Sequence, residues 1–74
     1  MTAADDEFAF LQALDRQIAA AEQRVFDQRE RMLAVIDDGR NATTAIQLYR
    51  LSEDTLKMLK AHRAVVVALL VNGK

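Results

Sequence analysis

The sequence has no cysteine, no proline and no tryptophan, and it contains only two glycines. The absence of cysteine excludes a disulfide scaffold and any cysteine-ligated metal or redox site. The absence of proline and the scarcity of glycine argue against an all-β chain, which needs many tight turns. These absences favour a helical chain.

A strong charge of one sign is also absent, because 10 basic and 11 acidic residues give a formal net charge of −1 at pH 7. The arginines of the first half alternate with acidic residues and form no basic stripe, so we expect no nucleic-acid partner. The longest apolar run, 64–71, has eight residues. A membrane span needs about 20, so we expect no transmembrane helix, and the remaining membrane alternative is a peripheral contact through Val65–Val71, where Lys74 is the one basic residue nearby. The run 5–7 is acidic and does not resemble the basic start of a secretory signal, which predicts a cytoplasmic protein.

Motifs that carry chemistry are missing as well. The sequence has no glycine-rich phosphate loop, no Ser/His/Asp set and no Glu-x-x-His pair, so we expect neither enzymatic activity nor a cofactor. His62 is the single histidine and lies within an apolar arc. It is either a boundary residue or a pH-sensitive or ligand-binding group at an interface.

One cluster of turn residues, 37–41, separates two long periodic segments. Gly39 is suited to the left-handed residue that ends a helix, and Asn41 is suited to the N-cap of the next helix. A short connection makes two helices antiparallel neighbours. The sequence therefore predicts an all-α fold, an antiparallel two-helix hairpin that is coiled-coil-like. It is expected to be a single domain over 1–74, with helices at about 5–37 and 42–72 and a turn at 38–41.

The first helix carries a heptad pattern in which seven of the eight a and d residues are apolar, as in a coiled-coil seam. Gln28 is the polar exception, and it either sets the register or reaches water at the edge of a bundle. The a residues are Leu11, Ile18, Val25 and Met32, and the d residues are Leu14, Ala21, Gln28 and Val35.

The second helix has a broad apolar arc facing away from its charged residues. Ser52 and the acidic residues after it resemble a helix start, which leaves open a bend near Leu51, although we expect a continuous helix. Residues 5–38 carry a net charge of −5 and residues 39–74 a net charge of +4, so the two helices attract weakly. The apolar arc contains Leu48, Leu51, Thr55, Met58, Leu59, His62, Val65, Val66 and Leu69.

Two helices have a line of contact but no enclosed core. Chains shorter than about 80 residues rarely gain more than about 3–5 kcal/mol from one core without further support. We therefore expect a non-enzymatic protein–protein interaction module, a homo-oligomeric scaffold or regulator that forms a four-helix bundle, with itself or a helical protein as partner. The predicted interface residues are Phe8, Leu11, Leu14, Ile18, Val25, Met58, His62, Val65, Val66, Leu69 and Leu70.

An alternative is a small adaptor or chaperone subunit that covers an apolar helix of another protein. In size and outline the chain resembles the small helical-hairpin co-chaperones that guard needle subunits in bacterial type III secretion. This resemblance covers the hairpin as a whole, and it implies a partner without assigning binding residues.

Overall fold

The computed structural model describes the backbone of residues 3–73 and the side chains of residues 6–73. Helix α1 spans Ala3–Asp37 and helix α2 spans Thr43–Asn72. The two helices pack against each other as a rod of 56 × 17 × 13 Å, and the described residues contain no strand. The predicted all-α hairpin is confirmed.

Gly39 ends α1 in the way its position in the sequence predicts. Its φ of +72° lies in the left-handed region, where a side chain is strained. Its N–H donates to the carbonyl of Ile36 at 3.0 Å, and the N–H of Arg40 donates to the carbonyl of Val35 at 3.2 Å. This pair of bonds is a Schellman motif, which satisfies carbonyls that the end of a helix leaves free.

Asn41 stabilises the start of α2, but from one residue further back than predicted. The N-cap position is held by Ala42, whose side chain makes no capping hydrogen bond. The Oδ1 atom of Asn41 accepts hydrogen bonds from the backbone N–H of Thr43 at 3.0 Å and from its hydroxyl at 2.7 Å. The side chain thus satisfies a free N–H of the first helical turn, as a capping residue does.

The predicted heptad of α1 faces α2 along the whole hairpin. All eight of its a and d side chains are buried or half-buried. The most enclosed are Ala21, Leu14 and Ile18, with 1%, 3% and 9% of their surface exposed. This row is called the α1 seam below.

The row of α2 that faces α1 differs from the apolar arc that the sequence predicts. Every member of this row is buried or half-buried, although Tyr49, Ser52 and Arg63 are polar. Two members of this row, Ala45 and Ser52, have small side chains. The α2 helix is continuous through Ser52, whose hydroxyl donates to the carbonyl of Leu48 at 2.9 Å. The inward row consists of Ala45, Tyr49, Ser52, Leu56, Leu59, Arg63, Val66 and Leu70.

Arg63 reaches inward because a carboxylate on α1 receives it. Its Nε donates a hydrogen bond to the Asp15 carboxylate, and this bond raises the pKa of the Arg63 guanidinium. A second ion pair joins Lys60 to Glu22 at 3.8 Å. All four side chains are about half exposed, so solvent screens both pairs, and they orient the helices more than they stabilise them.

Candidate partner interface

The side of α2 that does not face α1 carries a second heptad row. Each of its seven residues directly precedes a residue of the inward row, so it is turned from that row by about 100° around the helix axis. The spacing of alternating three and four residues is the same as in the α1 seam. The row consists of Leu48, Leu51, Thr55, Met58, His62, Val65 and Leu69. It is called the outer stripe below.

The outer stripe is apolar and largely open to solvent. Met58 is 71% exposed, Leu51 and Leu69 are 62% exposed, Val65 is 56% exposed and Leu48 is 39% exposed. Scattered exposed aliphatic residues are ordinary on protein surfaces, but a contiguous apolar strip marks an interaction site. The outer stripe runs along most of α2, from its second turn to its last.

On the α1 side, the outer stripe is bordered by one aromatic and two arginines. The ring of Phe10 lies 5.7 Å from the ring of His62 at an interplanar angle of 64°, an edge-to-face contact. Arg24 lines one shallow depression together with Leu51. Arg31 lines another depression beside Leu48. The border is therefore polar along the half of the stripe nearest the turn and aromatic near the free ends.

On its other side, the outer stripe is bordered by the row Gln47, Asp54, Ala61 and Ala68, all of them exposed. This row is called the outer flank. It is polar near the turn and small near the end of α2. A neighbouring helix would therefore meet two protruding side chains and two positions that leave room for protruding side chains.

The opposite face of the hairpin is charged. It carries the ion pairs of Asp15 with Arg63 and of Glu22 with Lys60. It also carries Tyr49, whose hydroxyl donates to Glu53 Oε2 at 3.0 Å. This hydrogen bond, which favours the protonated phenol, raises the pKa of Tyr49. The two broad faces thus differ, and the apolar one contains the outer stripe.

The eleven predicted interface residues divide between the interior of the hairpin and its surface. Leu14, Ile18 and Val66 are buried between the helices, and Leu11, Val25 and Leu70 are half-buried there. These six side chains hold α1 and α2 together. The remaining five are exposed, and four of them belong to the outer stripe. The exposed five are Phe8, Met58, His62, Val65 and Leu69.

Leu48, Leu51 and Phe10 belong to the apolar face but are not among the predicted interface residues. A signal for the two leucines is present in the sequence, because the spacing 48, 51, 55, 58, 62, 65 and 69 is itself a heptad pattern. The contact of Phe10 with His62 has no such signal, since it depends on how the two helices are aligned.

Gln28 occupies the α1 seam with a buried side-chain oxygen. Its Oε1 atom has no hydrogen-bond partner among the described residues. A buried carbonyl without a partner costs free energy, so the Gln28 amide lowers the stability of the hairpin.

Among the described residues, no three His, Asp or Glu side chains converge as metal ligands would. Neither helix, over its described length, combines the length and the apolar character that crossing a membrane requires. Comparison of the chain with known protein families, with curated proteins and with solved structures found no match. The function of the chain must therefore be inferred from the surface of the hairpin.

Proposed function

We propose that the protein is a non-enzymatic protein–protein interaction module whose partner is a second copy of the same chain. Two hairpins pair through their outer stripes into a four-helix bundle, which serves as a scaffold or regulator. The observation that carries this proposal is the exposed heptad of α2, a coiled-coil row without an opposing helix.

The energetics of the outer stripe are compatible with dimer formation. Fully burying one Leu, Met or Val side chain stabilises by about 1.5–3 kcal/mol. Scaled by their exposed fractions, the five aliphatic residues of the stripe represent about 4–9 kcal/mol in one copy and twice that in a dimer. Association costs about 4–15 kcal/mol in lost translational and rotational freedom, so a net gain is expected once the stripes fit well.

The hairpin alone has little that would make it stable. Among the described residues, only Leu14, Ile18, Ala21, Ala45 and Val66 are buried, and three of these side chains are Ala or Val. A small chain with so few enclosed side chains is marginal unless oligomerisation adds buried surface. A second copy supplies that surface without any other molecule.

The proposal is tested by measuring the mass of the purified chain by light scattering and sedimentation over a range of dilutions. We expect a dimer that dissociates only on strong dilution. Leu69→Asp places an unpaired carboxylate in the buried stripe, so we expect a monomer. Leu33→Asp is the matched control, because Leu33 is an exposed leucine on α1 outside the outer stripe. This control should remain a dimer.

A wild-type chain that is fully helical and monomeric at every concentration would contradict the proposal. The outer stripe would then be available to a helix of a different protein, which is the adaptor or chaperone alternative. Solubility that improves only on co-expression with such a partner would favour that alternative. A dimer that Leu69→Asp leaves intact would place the interface elsewhere on the hairpin.

A further inference from the structure

We propose, on the basis of the function proposed above, that the second copy packs antiparallel on α2, with the two-fold axis passing beside Met58. In this arrangement α2 lies against α2 of the second copy, and α1 lies beside α1 of the second copy. The position of Met58 in the outer stripe, the composition of the outer flank and the arginines on α1 each support this orientation.

The outer stripe has nearly the same composition when it is followed from either end. Met58 stands at its centre, and its two polar residues, Thr55 and His62, lie three and four residues away on opposite sides. Beyond them the stripe is aliphatic in both directions. An antiparallel two-fold at Met58 therefore places aliphatic side chains against aliphatic side chains and Thr55 near His62 of the second copy. The hydroxyl and the imidazole each contain a donor and an acceptor, so they are suited to bond to one another.

The outer flank is self-complementary in the same orientation. With the axis at Met58, Asp54 lies opposite Ala61 of the second copy, and Gln47 lies opposite Ala68 of the second copy. Each pair joins a longer polar side chain to a small one, so the helices can approach closely. A parallel pairing of the two α2 helices would instead bring the outer flank of one copy towards the α1 side of the stripe of the other copy, so these complementary pairs could not form. It would also align the two helix dipoles, whereas the antiparallel arrangement opposes them.

The α1 side of the stripe excludes a third arrangement, in which α2 packs on α1 of the second copy. The outer stripe would then cover the border formed by Arg24 and Arg31, and both guanidinium groups would lose water against aliphatic side chains. In the antiparallel α2 pairing the outer stripe covers the outer stripe of the second copy, and these arginines lie beside α1 of the second copy instead of under the aliphatic side chains of the stripe.

The orientation is tested by cysteine cross-linking, because the chain has no cysteine of its own. A disulfide requires the two Cα atoms to lie within about 4.4–6.8 Å. Met58→Cys places the two thiols next to the proposed axis, so mild oxidation should link most of the protein into dimers. Leu48→Cys is the matched control, because its two copies would be roughly 30 Å apart at a rise of about 1.5 Å per residue. This variant should remain unlinked.

Mixing Leu48→Cys with Leu69→Cys is the complementary test, because the antiparallel arrangement brings these two positions together. We expect linked heterodimers from the mixture and no link within either variant alone. Circular dichroism on each variant checks that the hairpin is folded, which is expected because Met58 and Leu69 are largely exposed in one chain.

The possible results show whether the proposed orientation, the proposed function or both are wrong. Self-linking of Leu48→Cys together with a failed mixture would show a parallel dimer, which overturns the orientation and leaves the self-association intact. A wild-type dimer in which Met58→Cys does not link and the mixture does not link would likewise overturn the orientation. A monomeric wild-type chain would overturn the proposed function, and the orientation with it.

Discussion

Replacing Gln28 by methionine should make the hairpin more stable. The Oε1 atom of Gln28 is buried in the α1 seam without a partner among the described residues. A buried polar group that lacks a hydrogen bond costs about 1–3 kcal/mol. Methionine has a similar unbranched shape and a similar helix propensity, so the change removes the amide with little effect on the backbone.

The expected gain is about 1–2 kcal/mol, towards the lower end because the Gln28 side chain as a whole is only half-buried. For a domain of this size, each kcal/mol raises the melting temperature by about 4–8 °C. Thermal and urea unfolding followed by circular dichroism measure both quantities. All variants must be compared at one protein concentration, because dimer formation would make the melting temperature depend on concentration.

Gln12→Met is the control, since it makes the same chemical change at an exposed position of α1. Its effect should stay within about 0.5 kcal/mol, as is usual for surface substitutions. If Gln28→Met is no more stable than Gln12→Met, the buried oxygen is satisfied by water and the reasoning is refuted. A loss of stability in Gln28→Met would show that the amide contributes to the register of the helices.

Two further predictions concern the turn and the charged face. Gly39→Ala should lower stability by about 1–2 kcal/mol in the same unfolding assay, because the φ of +72° strains any L side chain although the added Cβ meets no atom within 4 Å. Gly39→Asn should cost less, and an alanine variant as stable as the wild type would refute this account. Tyr49 is the only tyrosine and tryptophan is absent, so phenolate absorbance reports its titration alone. The hydrogen bond to Glu53 raises the pKa of Tyr49. The stabilisation that this bond gives is therefore complete below pH 10 and is lost as the pH rises through the folded-state pKa. Glu53→Ala should lower the titration midpoint and Glu30→Ala should not, and equal midpoints in the wild type and Glu53→Ala would contradict the assigned hydrogen bond.

Local chemistry explains why the α1 seam and the turn could be predicted. The α1 seam is a regular heptad with one polar exception, and no other row of that helix has comparable apolar character. Gly39 ends α1 because only glycine adopts its backbone conformation without strain. The offset at Asn41 has a simple reason, because a short side chain can reach the N–H of Thr43 from one residue further back.

The candidate interface was harder to predict because α2 has two heptad rows side by side. Composition favours the outer stripe as the row that packs on α1, since the inward row contains Tyr49, Ser52 and Arg63. That preference would leave Arg63 without Asp15, an ion pair that joins residues 48 positions apart in the chain. No periodicity within one helix reports such a pairing.

The amino-acid sequence alone was enough to establish two long helices, the turn between them and the row of α1 that packs against α2. Each of these follows from backbone preferences and from apolar spacing within a single segment. The row of α2 that turns inward was settled by the assembled hairpin. Its helices align so that Ala45 and Ser52 turn towards α1 and Asp15 receives Arg63, and this rotation leaves the more apolar row of α2 facing solvent.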